Sequence, residues 1–394
     1  MNKPSTIPVI AITGGTTAGK TSVMVNLDQE LPKYGVKPYF VREAATDLFS
    51  GGIKHGEIQN TQELIMRRML SDEEIFKDAA KGYPGNLRPV IICDRGVMDC
   101  MVYSKPGEFL ENAKKLGTTL HHLRERYDAV IHLVTTANGA PDIFRSVFKN
   151  NPFRVEGKDE SGEQSIERAL IEAVEKDRLT QNAWLGSQKL KVIPNRATFE
   201  EKKRDTLKAI LGVLGIPIPQ EIEFKYLVPK FFSRDDIPVS HETVLLTQYY
   251  LSQTPQLKIM NYPKEATKIV ERIRIREYEG SRTFIYTLKA FIPGDPNPYE
   301  PEDFMSEREF VQLVSYANSP PIKKDRTYFV HQHQYFEFDQ FKKQIDSEAN
   351  NLLELEVSEK SDQAILPEFI PNLVDVTGND YYRNENIAMR LVIA

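Results

Sequence analysis

The chain changes its hydrophobic rhythm once. Over residues 1–212, short unbroken apolar runs alternate with longer stretches of helical period. The runs are 8–13 (PVIAIT), 38–41 (PYFV), 89–94 (PVIICD), 129–134 (AVIHLV) and 190–193 (LKVI). Between them the pattern predicts helices, most clearly at 61–81 and 163–185. Apolar runs without a polar face fit strands buried on both sides. Their alternation with helices predicts a parallel sheet covered on both faces. At 212–220 (GVLGIPIPQ) two glycines and two prolines break the last helix. Beyond it the dominant period is two, interrupted by loops such as 293–303 (PGDPNPYEPED), which predicts mostly antiparallel β structure with a few helices. The expected architecture is therefore multidomain: α/β over 1–212, a linker at 213–220, and a mainly β domain over 221–394.

At the end of the first run, GGTTAGKT fits G-x-x-x-x-G-K-[ST], a phosphate-binding P-loop. Strand before and helix after (21–31) are the context that motif requires. Gly14, Gly15, Thr16, Thr17, Ala18, Gly19, Lys20, Thr21 and Ser22 form the expected cradle. Glycines let backbone N–H groups turn inward around phosphate oxygens, and the helix N-terminus adds partial positive charge. Lys20 is expected at the terminal phosphates of GTP or ATP and Thr21 on Mg²⁺. The bland alternative is a glycine-rich strand-to-helix turn with a solvated lysine.

Ligands of open α/β sheets bind at strand ends. Two such ends carry chemistry: Arg42 and Glu43 after the second run, and Asp94 and Arg95 ending the third, with Asp99 one turn on. A carboxylate there can hold Mg²⁺ or take a proton from an acceptor hydroxyl, and an arginine can neutralise a transferring phosphoryl group. Catalytic candidates are thus Lys20, Asp94, Arg95 and Glu43, with Thr21 and Asp94 as metal ligands. A surface ion pair (Arg42, Glu43) and a helix N-cap (Asp94) are the alternatives. The polar stretch 138–151, with Arg145 and Lys149, followed by Arg154 and Glu156, reads either as a mobile basic lid or as a solvated loop.

These residues resemble small-molecule kinases of the P-loop class, especially the nicotinamide-riboside-kinase-like group. The segments REAAT (42–46), CDRG (93–96), ANGA (137–140), AW (183–184) and IPNRATFEEKKRD (193–205) resemble the TRPL-translocation-defect protein family more closely. That family joins such a domain to a CYTH domain, and the likeness spans nearly the whole chain. It implies nucleotide binding, of GTP in the fly member, with phosphoinositide binding alongside it.

In the second half, charged residues alternate with apolar ones: Glu221, Glu223 and Lys225; Arg272, Arg274 and Arg276; Glu307 and Glu309; Glu337 and Asp339; Glu354 and Glu356. Lys289 and the pair Lys324 and Arg326 add cations. Alternate side chains share one face of a strand. A sheet closed around a polar lumen would bring these groups together, carboxylates for Mg²⁺ or Mn²⁺ and cations for a polyanion. A solvent-facing sheet laced with ion pairs is the alternative. The E-x-E-x-K sequence at 221–225 resembles the CYTH, or triphosphate tunnel, family. This implies a barrel of eight antiparallel strands, with Glu221, Glu223, Glu354 and Glu356 on metal. Lys225, Arg272, Arg274, Lys289 and Arg326 would be on phosphate, and Arg276 joins them by its position on the arginine face. The stretch NDYYRNENIA (379–388) is similar to the family's closing motif. Members hydrolyse triphosphates or cyclise ATP.

Composition trims this picture. At 394 residues the chain is too long for one core. A net charge of −5 gives no global attraction to nucleic acid, so anion binding must come from local clusters. The two cysteines, Cys93 and Cys100, have no metal spacing and fit a reducing compartment, hence a cytoplasmic location. The start MNKPSTIPVIAIT lacks the form of a signal peptide, and no segment approaches the roughly 18 apolar residues of a membrane span. Expected partners are a nucleoside triphosphate and a polyphosphate or phosphoinositide headgroup, compatible with peripheral membrane contact. Three lesser features complete the reading. His331 and His333 are expected on one side of a strand, Tyr381 and Tyr382 at a tunnel mouth or plain hydrophobic edge, and the run Lys202, Lys203 and Arg204 on a solvated helix face.

Overall fold

Strands and helices alternate along the first half. In the computed structural model, which describes residues 7–53, 58–148, 157, 165–216, 222–252, 254–255, 262–293, 299–343, 345, 349–357 and 363–390, the chain forms two units, Ile7–Ile210 and Leu211–Ala394.

In the first unit the strands are β1 (Val9–Gly14), β2 (Val36–Val41), β3 (Arg88–Asp94), β4 (Ala129–Leu133) and β5 (Leu190–Ile193). They pair in parallel in the order β2-β3-β1-β4-β5. Every residue of β1 and β4 is buried, as expected of strands covered on both faces. The helices are α1 (Lys20–Glu30), α2 (Ala44–Ser50), α3 (Thr61–Lys81), α4 (Cys100–Tyr103), α5 (Glu108–Lys115), α6 (Leu120–Glu125), α7 (Pro141–Phe148), α8 (Ile166–Ala183) and α9 (Phe199–Val213). Ser165 caps α8 by accepting from the Arg168 N–H, and Thr119 caps α6 by accepting from that of His122. Because β3 lies beside β1, with Ile12 opposite Asp94, both strands end at the loop that opens α1.

The second unit holds one nine-stranded sheet: β6 (Ile222–Pro229), β7 (His241–Leu251), β8 (Lys268–Tyr278), β9 (Ser281–Phe291), β10 (Glu302–Met305), β11 (Ile322–His331), β12 (Gln334–Phe341), β13 (Ala349–Val357) and β14 (Val374–Asp375). The order is β10-β9-β8-β7-β11-β12-β13-β6-β14, with every ladder antiparallel. Eight strands have four or more residues, and the ninth, β14, has two. The sheet is strongly curled. Tyr250 of β7 shares a core cluster with Leu352 of β13 and Leu227 of β6. On a flat sheet β7 and β6, four positions apart, would be separated by about 19 Å. The cluster also holds Tyr382 and Ile387, and the latter lies on α11 (Asn384–Arg390). The outer face packs separately: Phe329, Phe336, Phe338, Leu353 and Leu355 under Ile370, and Ile273 and Leu288 under Phe310.

Three expectations are corrected. Glu307 and Glu309 do not extend a charged strand but open a helix, α10 (Glu307–Val314). Ser306 and Glu309 form a reciprocal capping box there, and that local bonding outweighs a two-residue alternation. His331 ends β11, but His333 belongs to the hairpin turn, where Gln332 and His333 both have positive φ (49° and 63°). The two histidines therefore do not share a strand face. Lys202 is buried on α9, not solvated: its Nζ donates to the Val134 carbonyl (2.6 Å) and to Asn195 Oδ1 (2.9 Å). Burial lowers its pKa to about 8. No helix among the described residues is long and apolar enough to cross a membrane.

Candidate functional site

The loop 15–19 is held from outside as well as by its own sequence. The Gly15 N–H donates to Asp177 Oδ1 (2.9 Å), which also accepts from the Thr135 N–H (3.1 Å) and lies 3.1 Å from His132 Nε2. The Thr135 hydroxyl donates to the Thr16 carbonyl, and the Thr17 and Thr136 hydroxyls meet at 2.5 Å. Gly14 has φ 141°, and a Cβ there would sit 2.2 Å from the Leu133 carbonyl oxygen, so only glycine lets β1 pass β4 this closely. Lys20 opens α1 and its Nζ donates to the Gly14 carbonyl (3.2 Å). Burial, with Arg95 nearby, lowers its pKa. Thr21 and Ser22 are exposed on the first turn.

Four of the expected strand-end groups converge beside that loop. Arg95 sits just past β3 with φ 72°, a conformation that costs a non-glycine residue about 1 kcal/mol or more. Its guanidinium is turned inward. Nε donates to Glu43 (2.5 Å) and Nη1 to Asp99 (3.1 Å) and to the Gly14 carbonyl (3.3 Å). Asp99 is fixed in turn by the Thr13 hydroxyl and the Trp184 indole N–H. Burial works against the Glu43 carboxylate, yet Arg95 and Lys20 prevail and bring its pKa to about 2. Burial raises the pKa of Asp94, partly offset by Lys20. Asp94 Oδ1 is buried without a hydrogen-bond partner in the structure, which leaves it a hard oxygen able to ligate a cation. Arg42 is exposed and stands apart from this cluster.

The expected lid is partly helix: 141–148 form α7, where Arg145 pairs with Asp142 and Glu167 on the surface. Lys149, Arg154 and Glu156 lie outside the described residues. Asp177, Thr135, His132 and Asn195, which line the loop's other flank, were not singled out by sequence reasoning. Asn195 alone carried a hint, as a polar residue two positions past the end of a strand.

In the second unit the ladders place Glu223 and Lys225 (β6), Arg272, Arg274 and Arg276 (β8), Lys289 (β9), Lys324 and Arg326 (β11), Glu337 and Asp339 (β12), and Glu354 and Glu356 (β13) on one face of the curled sheet. Between the cations of β8 and β11 runs β7, which presents Val244, Leu246, Gln248 and Tyr250. Arg326 is the hub. It grips Asp339 side-on (2.6 and 2.5 Å), reaches Glu354 (2.7 Å) and touches Glu337. Lys225 bonds Glu354 (2.8 Å) and lies 3.3 Å from Glu223. Burial opposes ionisation of Glu354, but Lys225 and Arg326 hold its pKa far below the usual range. Lys324 pairs with Asp339. On the other side, Glu302 accepts from Arg272 (3.2 Å) and Arg274 (3.0 Å), and Glu300 pairs with Lys289 (2.8 Å). Arg276 donates to the Tyr328 hydroxyl (2.6 Å). Tyr382 closes over Lys225, whose Nζ lies 3.5 Å from the Tyr382 carbonyl oxygen.

Of the expected metal set here, Glu221 lies outside the described residues and Glu223 and Glu356 are exposed. Glu354 is engaged by two cations. Among the described residues no three His, Cys, Asp or Glu side chains are grouped to hold a metal ion. The described residues of this face are joined by ion pairs.

Residues 9–183 match the family described as the AAA domain. The match takes in the Gly14–Thr21 cradle, Glu43, Asp94, Arg95 and Asp177, so the first unit is an AAA-type P-loop domain. No curated protein matches the chain. Among solved structures, the inorganic triphosphatase NE1496 is 23% identical over 44% of this chain and 96% of its own, with a TM-score of 0.30. A second structure, described as the hypothetical protein NE1496, gives 25% identity over 43% of this chain and 98% of its own, at 0.29. The PH1819 protein from Pyrococcus horikoshii OT3 gives 18% over 36% and 80%, at 0.26. The fold of the second unit stands on its own strand ladders.

Proposed function

We propose that the AAA domain binds a nucleoside triphosphate, GTP or ATP, and transfers or hydrolyses its terminal phosphoryl group in kinase-like fashion. The observation that carries this is the convergence of Lys20, Arg95, Glu43 and the half-partnered Asp94 at one end of the cradle. Bound there between Thr21 and Asp94, Mg²⁺ would supply neutralisation of the phosphate charge. Lys20 would donate to the terminal phosphates from a site that already depresses its pKa. Arg95, held rigid by Glu43 and Asp99, would stabilise charge that develops on the transferring group without reorganising. If it does not hold the metal, Asp94, its pKa raised by burial, would orient an acceptor hydroxyl or a water. Lys20→Ala should abolish the turnover of GTP and ATP in the full chain; turnover unchanged in that variant refutes the reading.

For the curled sheet we propose a polyanion site, for a polyphosphate or a phosphoinositide headgroup, that binds through Lys225, Arg272, Arg274, Arg276, Lys289 and Arg326. What supports it is the row of cations on one concave face; Lys225, Arg272, Arg274, Lys289 and Arg326 are paired with carboxylates that an incoming phosphate can replace, and Arg276 is held by the Tyr328 hydroxyl. Metal-dependent hydrolysis of a triphosphate would require Glu354 to leave both Lys225 and Arg326. Arg272→Ala with Arg274→Ala should weaken tripolyphosphate binding by at least tenfold, and headgroup binding measured with and without GTP tests whether the two sites are coupled.

A further inference from the structure

The P-loop cradle has two flanks, and only one holds the reactive groups. Asp94, Arg95 and Glu43 lie at the ends of β3 and β2, so the terminal phosphates of a bound nucleotide point to that side of β1. The rest of the ligand must leave over the opposite side, above β4 and β5. What it meets there is the ring of Phe199, the first residue of α9, which follows β5 directly. Phe199 is 40% exposed, so part of its ring is open to solvent. Its ring edge lies against Gly19, the last residue of the cradle before Lys20: a Cβ on Gly19 would fall 2.5 Å from the ring. Lys203 places its Nζ 5.1 Å from the ring centroid and is itself tied to Glu200 (2.8 Å). The neighbouring loop is rigid, since Asn195 donates to the Thr135 and Asn138 carbonyls and accepts from Lys202.

We infer that Phe199 is the platform on which the base of the nucleotide stacks, which makes this flank a purine-nucleotide site rather than a general polyphosphate cradle. The inference rests on the nucleotide reading of the AAA domain. An exposed aromatic ring gains surface burial and stacking from a flat heterocycle, and a purine offers the larger face. The ring has no chemical role; it determines affinity and base preference.

The test uses the full chain and titrates ATP, GTP, CTP and ribose 5-triphosphate, counting as cradle binding the part that Lys20→Ala removes. Phe199→Leu should weaken ATP and GTP about tenfold or more, CTP less, and ribose 5-triphosphate by under twofold. Phe199→Trp should restore purine binding. Because the single native tryptophan, Trp184, is fully buried, emission from the new indole should be quenched by ATP and not by ribose 5-triphosphate. Equal losses for all four ligands would make the ring a mere buttress of Gly19 and overturn the inference, as would no loss at all. Absence of Lys20-dependent nucleotide binding in the unaltered chain would instead overturn the nucleotide reading on which it rests.

Discussion

Asp177 accepts the Gly15 amide across 162 residues of sequence, so the conformation of the phosphate loop is set partly from α8. The same oxygen takes the Thr135 amide and faces His132. Removing the carboxylate strands two buried N–H groups, at about 1–3 kcal/mol each. Asp177→Ala should therefore cost about 2–6 kcal/mol in denaturant unfolding, whereas Asp177→Asn, which keeps an acceptor oxygen, should lose less. Equal stability of the Ala variant would show that the loop holds its shape unaided.

Glu43 makes a pH prediction. Its folded pKa, about 2, lies below the ordinary glutamate value of about 4.3. A carboxylate depressed on folding adds stability that is complete above the unfolded pKa and lost as pH falls toward the folded one. The window is therefore about pH 4.5 down to about 2, and the size, from two pH units and more, is about 2–3 kcal/mol. Glu43→Gln should flatten the acid limb of the stability curve in that window. An unchanged acid limb in urea titrations would mean that the ion pair with Arg95 contributes nothing net.

The parallel sheet was legible because β1, β3 and β4 are buried on both faces, which writes an unbroken apolar run into the chain. The charged face of the second unit was legible because a strand's period is exactly two. Where reading failed, a local bond or a distant partner decided. Ser306 and Glu309 close a capping box, so E-R-E at 307–309 starts a helix rather than a strand. Ser306→Ala should destabilise α10 by about 1 kcal/mol, seen as a lower midpoint of thermal unfolding. Lys202 looks solvated beside Lys203 and Arg204, but its partner is the Val134 carbonyl, 68 residues away. Asp177 gave no sign at all, since a buried acid in an amphipathic helix is written like any other acid. Glu302, which binds two arginines, sits at the end of a proline-rich stretch that reads as loop.

Glu354 separates the two readings of the curled sheet. It is bonded to Lys225 and Arg326, and burial of all three makes the cluster sensitive to the loss of one charge. Glu354→Gln should lower the stability of the second unit by about 3–5 kcal/mol, because two buried cations lose their shared counter-ion. The same change removes one carboxylate that competes with phosphate oxygens for Lys225 and Arg326, so tripolyphosphate should bind severalfold more tightly, and its binding should rescue the lost stability in proportion to ligand concentration. A metal ligand would behave in the opposite way: Glu354→Gln would abolish Mg²⁺- or Mn²⁺-dependent phosphate release and weaken the metal-bound ligand. Titration of the variant with tripolyphosphate, with and without divalent cation, decides between them. Tighter metal-independent binding supports the polyanion site built from arginine and lysine, and weaker binding that metal no longer improves refutes it.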